Sequence, residues 1–283
     1  MSAGFALPEL DPRATWSIRV LDQATGEALL EHQPDTQCET ASIGKIFLLI
    51  EVARRLEAGE LDPDEIVRAP AEHAVQDSGI LYRMRGQALG VEDLAVLVGA
   101  FSDNLATNAL LASCGLDAVR RVAPALGYEQ TSLHDFIRNE RTPEMPWTPS
   151  YGTARELADV LARLARGEVH SPAVSERVLG WLASDADTSM VADAFLLDPL
   201  AHVDAEYQDL VLRHKTGTTD FARIDVGHVR GRAGAVSYAV AANWKGVPAD
   251  LRAPVMDAMR DIGEQIRRHV TGRDRADWPS SGG

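Results

Sequence analysis

Segments typical of β-strands lie near both ends of this chain, and segments typical of helices fill the middle. Alternating apolar residues predict a hairpin over 16–20 and 28–32. Later strands are predicted at 210–215, 225–229 and 235–243. Helical periodicity is found at 42–58, 91–101, 104–112, 116–126, 153–165, 172–182 and 253–270. This order predicts an α+β fold, in which the terminal strands form one antiparallel sheet and helices pack on and beside it.

Charge excludes two classes of partner. The chain has 28 lysine and arginine residues against 42 aspartate and glutamate residues, for a formal net charge of −14. Nucleic acids and anionic membranes need basic protein surface, so neither is an expected partner. No run is apolar enough to span a bilayer, and residues 1–12 lack the pattern of a signal peptide. We therefore expect a cytoplasmic protein, or an exported one whose signal has been removed.

Histidine and cysteine usage predicts neither a metal site nor another cofactor. The eight histidines are scattered, without the paired spacing of metal ligands. There are two cysteines, Cys38 and Cys114. We expect two buried free thiols in a reducing compartment, and a single disulfide is the alternative.

Lysine is scarce in this chain. Of the 28 basic side chains, only Lys45, Lys215 and Lys245 are lysines, and the rest are arginines. A buried lysine can lose its proton and act as a base, whereas arginine stays charged. Each lysine therefore calls for a specific explanation.

The first candidate motif is Ser42-Ile43-Gly44-Lys45, at the start of a predicted helix. Residues three apart share one helix face, so the Lys45 amine would lie beside the Ser42 hydroxyl. A lysine whose pKa is depressed can take the proton of a serine nucleophile. The Ser42 N–H would be an oxyanion donor. The alternative is a helix cap followed by an exposed lysine.

The second motif is Ser102-Asp103-Asn104, between two predicted helices. Ser102 would pass protons between the lysines and a leaving group, and Asn104 would hydrogen-bond a substrate amide. The alternative is a plain helix N-cap, which these residue types form well.

The third motif is Lys215-Thr216-Gly217-Thr218, after an apolar strand. Lys215 would lower the pKa of Lys45 and attract an anionic substrate. Gly217 would let a substrate backbone lie against the strand, and the Thr218 N–H would complete the oxyanion hole. The alternative is a lysine at a strand end, entering a turn. All three motifs have the order and spacing expected of one catalytic site. Each also falls on the expected element, namely a helix start, a helix–helix junction and a strand, which favours the catalytic interpretation.

The set resembles the motifs of the penicillin-recognising serine enzymes, most closely the class A β-lactamases and their relatives. Segments 77–81, 104–108 and 225–227 also resemble that family, so the resemblance covers roughly residues 15–270. It implies a β-lactamase/transpeptidase-like fold, with an antiparallel sheet flanked by helices and an all-helical lobe. The implied α/β lobe spans about 14–41 plus 190–272, the helical lobe spans about 42–189, and 273–283 form a loose tail.

The resemblance also implies roles for individual residues. The catalytic residues would be Ser42, Lys45, Ser102 and Lys215. The substrate-binding residues would be Asn104, Thr216, Gly217, Thr218 and Arg223. Arg223 is a candidate partner for a substrate carboxylate, and a solvated turn arginine is the alternative.

One segment departs from the family pattern. Class A β-lactamases carry a glutamate, in a Glu-x-x-Leu-Asn motif, that activates the water for deacylation. Counting back from the helix at 153–165 puts Ile137 at that position. His134, Asp135, Glu140 and Glu144 are nearby, but none sits in the motif. Glu140 is the candidate substitute base, on a shifted loop.

These residues predict a serine hydrolase that forms an acyl-enzyme on Ser42 with β-lactams or related amides and esters, with slow deacylation. The alternatives are a D,D-peptidase or esterase of the same fold, and a non-catalytic sensor of β-lactams or cell-wall fragments. The expected partner is a small-molecule substrate, and the sequence does not indicate an oligomeric state.

Overall fold

The computed structural model describes residues 4–203 and 210–273. Its strands are β1 (Thr15–Asp22), β2 (Ala28–His32), β3 (Cys38–Glu39), β4 (Ile66–Val67), β5 (Leu89–Gly90), β6 (Ser132–Leu133), β7 (Ser150–Gly152), β8 (Leu210–Thr219), β9 (Ala222–Gly231) and β10 (Ala235–Asn243). Its α-helices are α1 (Lys45–Glu57), α2 (Val91–Phe101), α3 (Asn104–Cys114), α4 (Leu116–Arg120), α5 (Val122–Ala125), α6 (Ala154–Ala165), α7 (Pro172–Leu182) and α8 (Arg252–Thr271). Short 3-10 turns lie at Ala41–Gly44, Ala71–His73, Leu81–Arg83 and Ala192–Phe195.

Both ends of the chain contribute to one five-stranded sheet, in the order β2-β1-β10-β9-β8. The join between the ends is the antiparallel pairing of β1 with β10, which runs from Thr15 opposite Asn243 to Asp22 opposite Val236. The other neighbours also pair antiparallel. This confirms the predicted sheet and leaves β8, the strand of the third motif, at an edge.

Apolar side chains alternate between the two faces of the sheet, as expected for strands covered on both sides. On β9, Ile224 and Val226 join the core that includes Ile46 and Leu49 of α1. Val229 joins the second core, together with residues of α8. The helices therefore pack on both faces, and the 3-10 turn at Ala41–Gly44, just before α1, contacts β8 at the sheet edge.

Several element bounds differ from the sequence predictions, including those of β9, which runs from Ala222 to Gly231. β8 continues to Thr219, so the whole third motif lies within a strand. The predicted helix at 42–58 begins as a 3-10 turn that carries Ser42, and α1 starts at Lys45. The predicted helix at 116–126 divides into α4 and α5, because Pro124 has no N–H to donate to the Arg120 carbonyl.

Cys38 and Cys114 are both buried and free, which confirms the expected thiols. Burial raises the pKa of each thiol to about 12. No helix in the described ranges is long and apolar enough to cross a membrane. Of the predicted tail, residues 274–283 lie outside the described residues, and the lobe boundaries remain a prediction.

Candidate active site

A cavity of about 430 Å³ opens where the three motifs meet. Its lining includes Ser42 from the first motif, Ser102 and Asn104 from the second, and Thr216 and Thr218 from the third. These segments are far apart in sequence, so the fold itself assembles the predicted set.

Lys45 lies at the centre of this set and is fully buried. Its Nζ donates to the Ser102 carbonyl oxygen at 2.6 Å, to Ser102 Oγ at 3.2 Å and to Asn104 Oδ1 at 2.7 Å. Burial lowers the pKa of Lys45 well below its ordinary value, and the positive charge of Lys215 lowers it further. The amine therefore loses its proton more readily than an ordinary lysine does.

The segment around Ser42 is tightly positioned. Ala41 has a left-handed backbone, with φ of 48°, which non-glycine residues adopt at a cost and often next to functional groups. The Gly44 N–H donates to Ser150 Oγ at 3.3 Å, and a Cβ on Gly44 would lie 2.6 Å from the Ser150 Cβ. Among the described residues no hydrogen bond joins Lys45 to Ser42, whose side chain faces the cavity.

The second motif caps a helix, as its alternative interpretation predicted, and two of its residues also contact Lys45. Ser102, the left-handed C-cap of α2 with φ of 52°, turns toward Lys45. Asp103 caps α3 by accepting from the Ala106 N–H at 2.9 Å. Its other oxygen accepts from the N–H groups of Ile80 and Leu81, both at 2.7 Å. Asp103 thus fixes the 77–81 segment against the site, a role that the sequence analysis did not assign.

Lys215 is also fully buried, whereas Lys245 is exposed. Lys215 Nζ lies 3.6 Å from Asp185 Oδ2 and donates to the Thr216 carbonyl oxygen at 3.2 Å. Its charge is therefore balanced inside the protein and not presented to the cavity. This argues against the expectation that Lys215 attracts an anionic substrate, although its predicted effect on the Lys45 pKa agrees with the geometry.

The free edge of β8 presents backbone donors to the cavity. The Thr216 N–H points away from β9 and donates to Asp185 Oδ2 at 3.1 Å. N–H groups two residues apart point the same way along a strand, so the Thr218 N–H faces the same edge. Thr218 lines the cavity together with Ser42, whose N–H belongs to the first turn of a helix and lacks an intrahelical acceptor. This pair fits an oxyanion hole.

Gly217 has a role other than the expected one. A Cβ at this position would lie 2.6 Å from the Thr40 carbonyl oxygen, 3.2 Å from Ile43 Cγ1 and 3.3 Å from the Ala41 Cβ. The space beside Gly217 is thus filled by the segment that carries Ser42, not left for a substrate. The missing side chain lets β8 approach the segment that carries Ser42 closely.

Arg223 lies on β9 opposite Thr218 but is not among the residues that line the cavity. Its Nη1 donates to the Thr219 and Ala222 carbonyl oxygens at 2.6 and 2.7 Å, and its guanidinium lies 5.8 Å from the Trp244 ring centroid. Its Nη1 donors therefore hold the β8–β9 turn, and its position outside the cavity lining argues against a substrate carboxylate as its partner.

The substitute base is placed wrongly for its role. Glu140 is exposed and outside the cavity lining, so the structure argues against it as the deacylation base. Asp135 pairs with Arg138 at 3.2 Å and with Arg141 at 2.9 Å, and these ion pairs fold the loop upon itself. Glu144 is also exposed.

Ile137 occupies the position beside α3. Asn108, one turn beyond Asn104, donates to the Ile137 carbonyl oxygen at 2.8 Å and accepts from the Ile137 N–H at 2.9 Å. This pairing fixes the backbone of Ile137, the residue that counting along the sequence puts at the glutamate position of the family pattern. The cavity lining in the described part of the chain contains no glutamate.

Three aspartates of the site were missed by the sequence analysis. Asp77, Asp185 and Asp187 line the cavity. Asp77 was noted only as part of a family-like segment, and no local pattern marks the other two. Their positions follow from the packing of the loop after α7 against α2, where the Ala186 N–H donates to the Ala100 carbonyl oxygen at 2.9 Å.

Comparison with known proteins agrees with this geometry. A model of the β-lactamase enzyme family matches residues 9–270. A β-lactamase from Sphaerobacter thermophilus has a similar structure, with 27% identity, 92% of each chain covered and a TM-score of 0.76.

Two other solved structures are similar as well. A variant of the last common ancestor of Gram-negative bacteria class A β-lactamase has 25% identity, covers 88% of this chain and 91% of its own, and has a TM-score of 0.72. PBP-A has 19% identity, with 91% of this chain and 90% of the PBP-A chain covered, and a TM-score of 0.75, so it shares the fold. Curated protein sequences yield no significant match. The family match spans nearly the whole chain, so the protein belongs to the β-lactamase enzyme family and has the β-lactamase/transpeptidase-like fold of the penicillin-recognising serine enzymes.

Proposed function

We propose that the protein is a serine hydrolase that is acylated on Ser42 by β-lactams or related amides and esters, and that the acyl-enzyme is long-lived. The observation that carries the proposal is the fully buried Lys45, held by Ser102 and Asn104 within a cavity that Ser42 also lines. Burying a lysine amine costs stability, and a catalytic role would explain why that cost is kept.

Acylation follows from the arrangement. The neutral Lys45 amine takes the Ser42 hydroxyl proton, and Ser42 Oγ bonds to the substrate carbonyl carbon. The Ser42 and Thr218 N–H groups stabilise the resulting oxyanion. When the carbonyl carbon–nitrogen or carbon–oxygen bond breaks, Ser102 Oγ–H supplies a proton to the leaving group, and the proton on Lys45 restores Ser102.

Deacylation lacks an evident base. Water must attack the Ser42 ester, and a positioned carboxylate or amine must take a proton from that water. Ile137 stands beside Asn108, and Glu140 is exposed outside the cavity. These positions favour slow release of the acyl group from Ser42. Slow release also favours two alternatives. One is a sensor that is acylated once, and the other is a peptidase whose natural acyl group leaves more readily than a β-lactam does.

A penicillin and a chromogenic cephalosporin test the proposal, with intact mass and absorbance followed together. We expect a mass increase equal to the added β-lactam that persists while absorbance changes slowly. Ser42→Ala should abolish the adduct. Ser113→Ala, a change of the same kind near the end of α3 and outside the cavity lining, should leave it intact.

The outcomes separate the candidates. Rapid turnover without an adduct would point to an efficient β-lactamase and remove the claim of slow release. An adduct that survives Ser42→Ala would exclude Ser42 as the nucleophile. Neither an adduct nor turnover, with β-lactams and simple esters alike, would overturn the hydrolase proposal. Penicillin-G is already seen bound as an acyl-enzyme in one PBP-A mutant, which supports the choice of probe.

A further inference from the structure

Two arginines and a histidine lie together on one face of the sheet, outside the active-site cavity. Arg213 on β8 is paired directly with His228 on β9, and Arg230 follows two residues later on β9. Residues directly opposite on antiparallel strands share a face of the sheet, and so do residues two apart on one strand. The three side chains therefore share the face on which α6 packs. None of them lines the active-site cavity.

The charges in this group repel one another. Burial lowers the pKa of Arg213, and the charge of Arg230 lowers it further. Burial and the charges of both arginines lower the pKa of His228 to about 4, so its ring is neutral at neutral pH. No carboxylate of the described residues acts on Arg213 or on His228. An anion bound between the arginines would therefore relieve a repulsion that the fold leaves in place.

Both arginines keep donors for such an anion. Arg213 is half-buried, and its one hydrogen bond to a described residue runs from Nη1 to the carbonyl oxygen of its neighbour Leu212, at 3.1 Å. Arg230 is exposed. A guanidinium has five N–H donors in a planar fork, and this fork matches the oxygens of a carboxylate or a phosphate.

His228 supplies an independent observation that points to a ligand. It is only 9% exposed, and its Nδ1 lies 3.1 Å from Ser237 Oγ on β10. Nε2, one of the two ring atoms farthest from the backbone, has no hydrogen-bond partner within the described ranges. Because the side chain is nine-tenths buried and Nδ1 is held, the ring keeps its orientation. Nε2 is thus a fixed polar atom next to the two arginines.

The hydrogen bonds around Ser237 determine which nitrogen of His228 carries the proton. Gln23 Nε2 donates to the Ala162 carbonyl oxygen at 3.0 Å, so Gln23 Oε1 is an acceptor. This oxygen accepts from Ser237 Oγ at 3.0 Å. That bond uses the only proton of the Ser237 hydroxyl, so the neutral His228 ring donates from Nδ1. Nε2 then carries a lone pair, and a ligand must donate a hydrogen bond to it.

We propose that Arg213, Arg230 and His228 form a binding site for hydrogen phosphate, HPO₄²⁻. The two guanidinium groups donate to its charged oxygens, and its one O–H donates to His228 Nε2. Binding in this way requires no change in the protonation of the ring. The site lies outside the active-site cavity, so the inference goes beyond the proposed hydrolase function and does not depend on it.

Three dianions of equal charge test the proposed site: hydrogen phosphate, sulfate and methyl phosphate. At pH 8 inorganic phosphate is mainly the dianion and keeps one O–H, whereas the other two ions have none. Isothermal titration calorimetry at constant ionic strength measures each dissociation constant. We expect saturable binding of one hydrogen phosphate per chain. Sulfate and methyl phosphate should bind at least about tenfold more weakly, because one of their oxygens would face the Nε2 lone pair. Methyl phosphate also separates free phosphate from the phosphoryl group of a larger ligand.

Arg213→Gln and Arg230→Gln should each weaken the binding of hydrogen phosphate by at least about tenfold, because each removes a charge-assisted hydrogen bond. Arg85→Gln is the matched control, since Arg85 is an exposed arginine on the loop before β5. It should leave the dissociation constant unchanged. In the wild-type protein, the NMR signal of the His228 ring should shift along the same binding curve.

Equal dissociation constants for the three dianions would overturn the proposal, because they would indicate attraction between opposite charges alone. So would the lack of saturable binding, or full binding in both arginine variants. Thermal unfolding without ligand shows whether each variant is folded. If one is not, the His228 signal of the wild-type protein decides, and a signal that phosphate leaves unmoved would exclude the site. None of these results depends on Ser42, so this inference and the proposed function can fail separately.

Discussion

At the scale of single residues, burial distinguishes two of the three lysines from the third. Lys45 and Lys215 are fully buried next to the cavity, whereas Lys245 is exposed. Lys45→Met should slow acylation by roughly a hundredfold to ten-thousandfold, the usual contribution of a general base. The effect is measured as the rate of adduct formation, which is followed by intact mass after rapid mixing.

Lys245→Met is the matched control for this prediction and should leave acylation unchanged. Thermal unfolding of both variants shows whether either change disturbs the fold. If Lys45→Met is folded and acylates at the wild-type rate, Lys45 is not the base.

The pH dependence of acylation follows from the direction of the Lys45 pKa. The neutral amine is the active form, so the rate rises as pH rises through that pKa. Because burial and Lys215 place the pKa well below 10.5, the rise should be complete well below that pH. A stopped-flow profile of a neutral ester from pH 5 to 10 measures it. A rate that keeps climbing to pH 10 would contradict the lowered pKa.

Ile137 offers a test of why release is slow. Asn108 holds its backbone beside α3, where the family pattern requires a glutamate. The resemblance puts the deacylating glutamate of the family at position 137, which is half-buried where Glu140 is exposed, although both lie outside the cavity lining. Ile137→Glu should therefore shorten the lifetime of the acyl-enzyme by at least about tenfold. Decay of the adduct mass after removal of free substrate measures it.

Glu140→Gln serves as the comparison, since Glu140 is exposed outside the cavity lining. It should not change the adduct lifetime. A longer lifetime in Glu140→Gln would restore Glu140 as the base.

Residues of the site were predictable from sequence only where the chemistry is local. Ser42 and Lys45 share a motif, and Lys215 stands out because lysine is rare. Asp185 and Asp187 carry no such signal, because their place depends on how the loop after α7 packs against α2 and β8. The loss of the loop glutamate was visible, but the pairing of Ile137 with Asn108 needed the fold.

At the scale of elements, the contact between β8 and the 3-10 turn at Ala41–Gly44 sets the distance between the Ser42 and Thr218 N–H groups, the proposed oxyanion donors. Gly217→Ala would place a Cβ 2.6 Å from the Thr40 carbonyl oxygen and push the two apart. We expect a loss of about 1–3 kcal/mol in the free energy of unfolding, and slower acylation. Urea denaturation and adduct kinetics measure the two effects.

Gly180→Ala, inside α7, is the control for the added methyl group. A Cβ there meets no atom within 4 Å, and alanine favours a helix interior over glycine by about 0.5–1 kcal/mol. It should stabilise the protein slightly without changing acylation. Normal stability and acylation in Gly217→Ala would contradict the close approach of β8.

Apolar periodicity predicted the bounds of some elements correctly, but it missed features that depend on strand pairing or on proline. α2 and α7 and strand β10 have the predicted bounds. β8 was predicted too short because Thr216–Thr219 lack an apolar pattern, yet pairing with β9 extends the strand through them. The break between α4 and α5 follows from Pro124, whose effect the apolar periodicity hid.

At the scale of the whole molecule, a buried ion pair lies within the sheet that joins both chain ends. His214 on β8 and Asp225 on β9 are both fully buried, with His214 Nδ1 3.2 Å from Asp225 Oδ1. Asp225 also accepts from Tyr238 Oη at 3.0 Å and from the Ala192 N–H at 3.2 Å. Burial lowers the pKa of His214, but the Asp225 carboxylate outweighs it and raises that pKa above 6.5.

Stability should therefore fall with rising pH in one window. The folded protein binds the His214 proton more tightly than the unfolded chain does, so the contribution is full below pH 6.5 and is lost as pH rises through the raised pKa. Equilibrium urea denaturation between pH 6 and 8 tests this. The upper limit of pH 8 keeps the measurement below the ordinary thiol pKa of 9.0. Near that pH, ionisation of the two cysteines in the unfolded chain also begins to change stability.

A double variant separates this pair from every other titrating group. His228, whose pKa burial lowers to about 4, acts in the opposite direction near pH 6.5, but it does so equally in both proteins. The double variant His214→Gln with Asp225→Asn should lose the part of the pH dependence of stability that the His214–Asp225 pair contributes in the wild-type protein. Either single change should cost about 3–5 kcal/mol, because one buried charge or donor loses its partner, and the double variant should cost less than the two together. Equal pH slopes in wild type and double variant would mean that the pair is not charged in the folded protein.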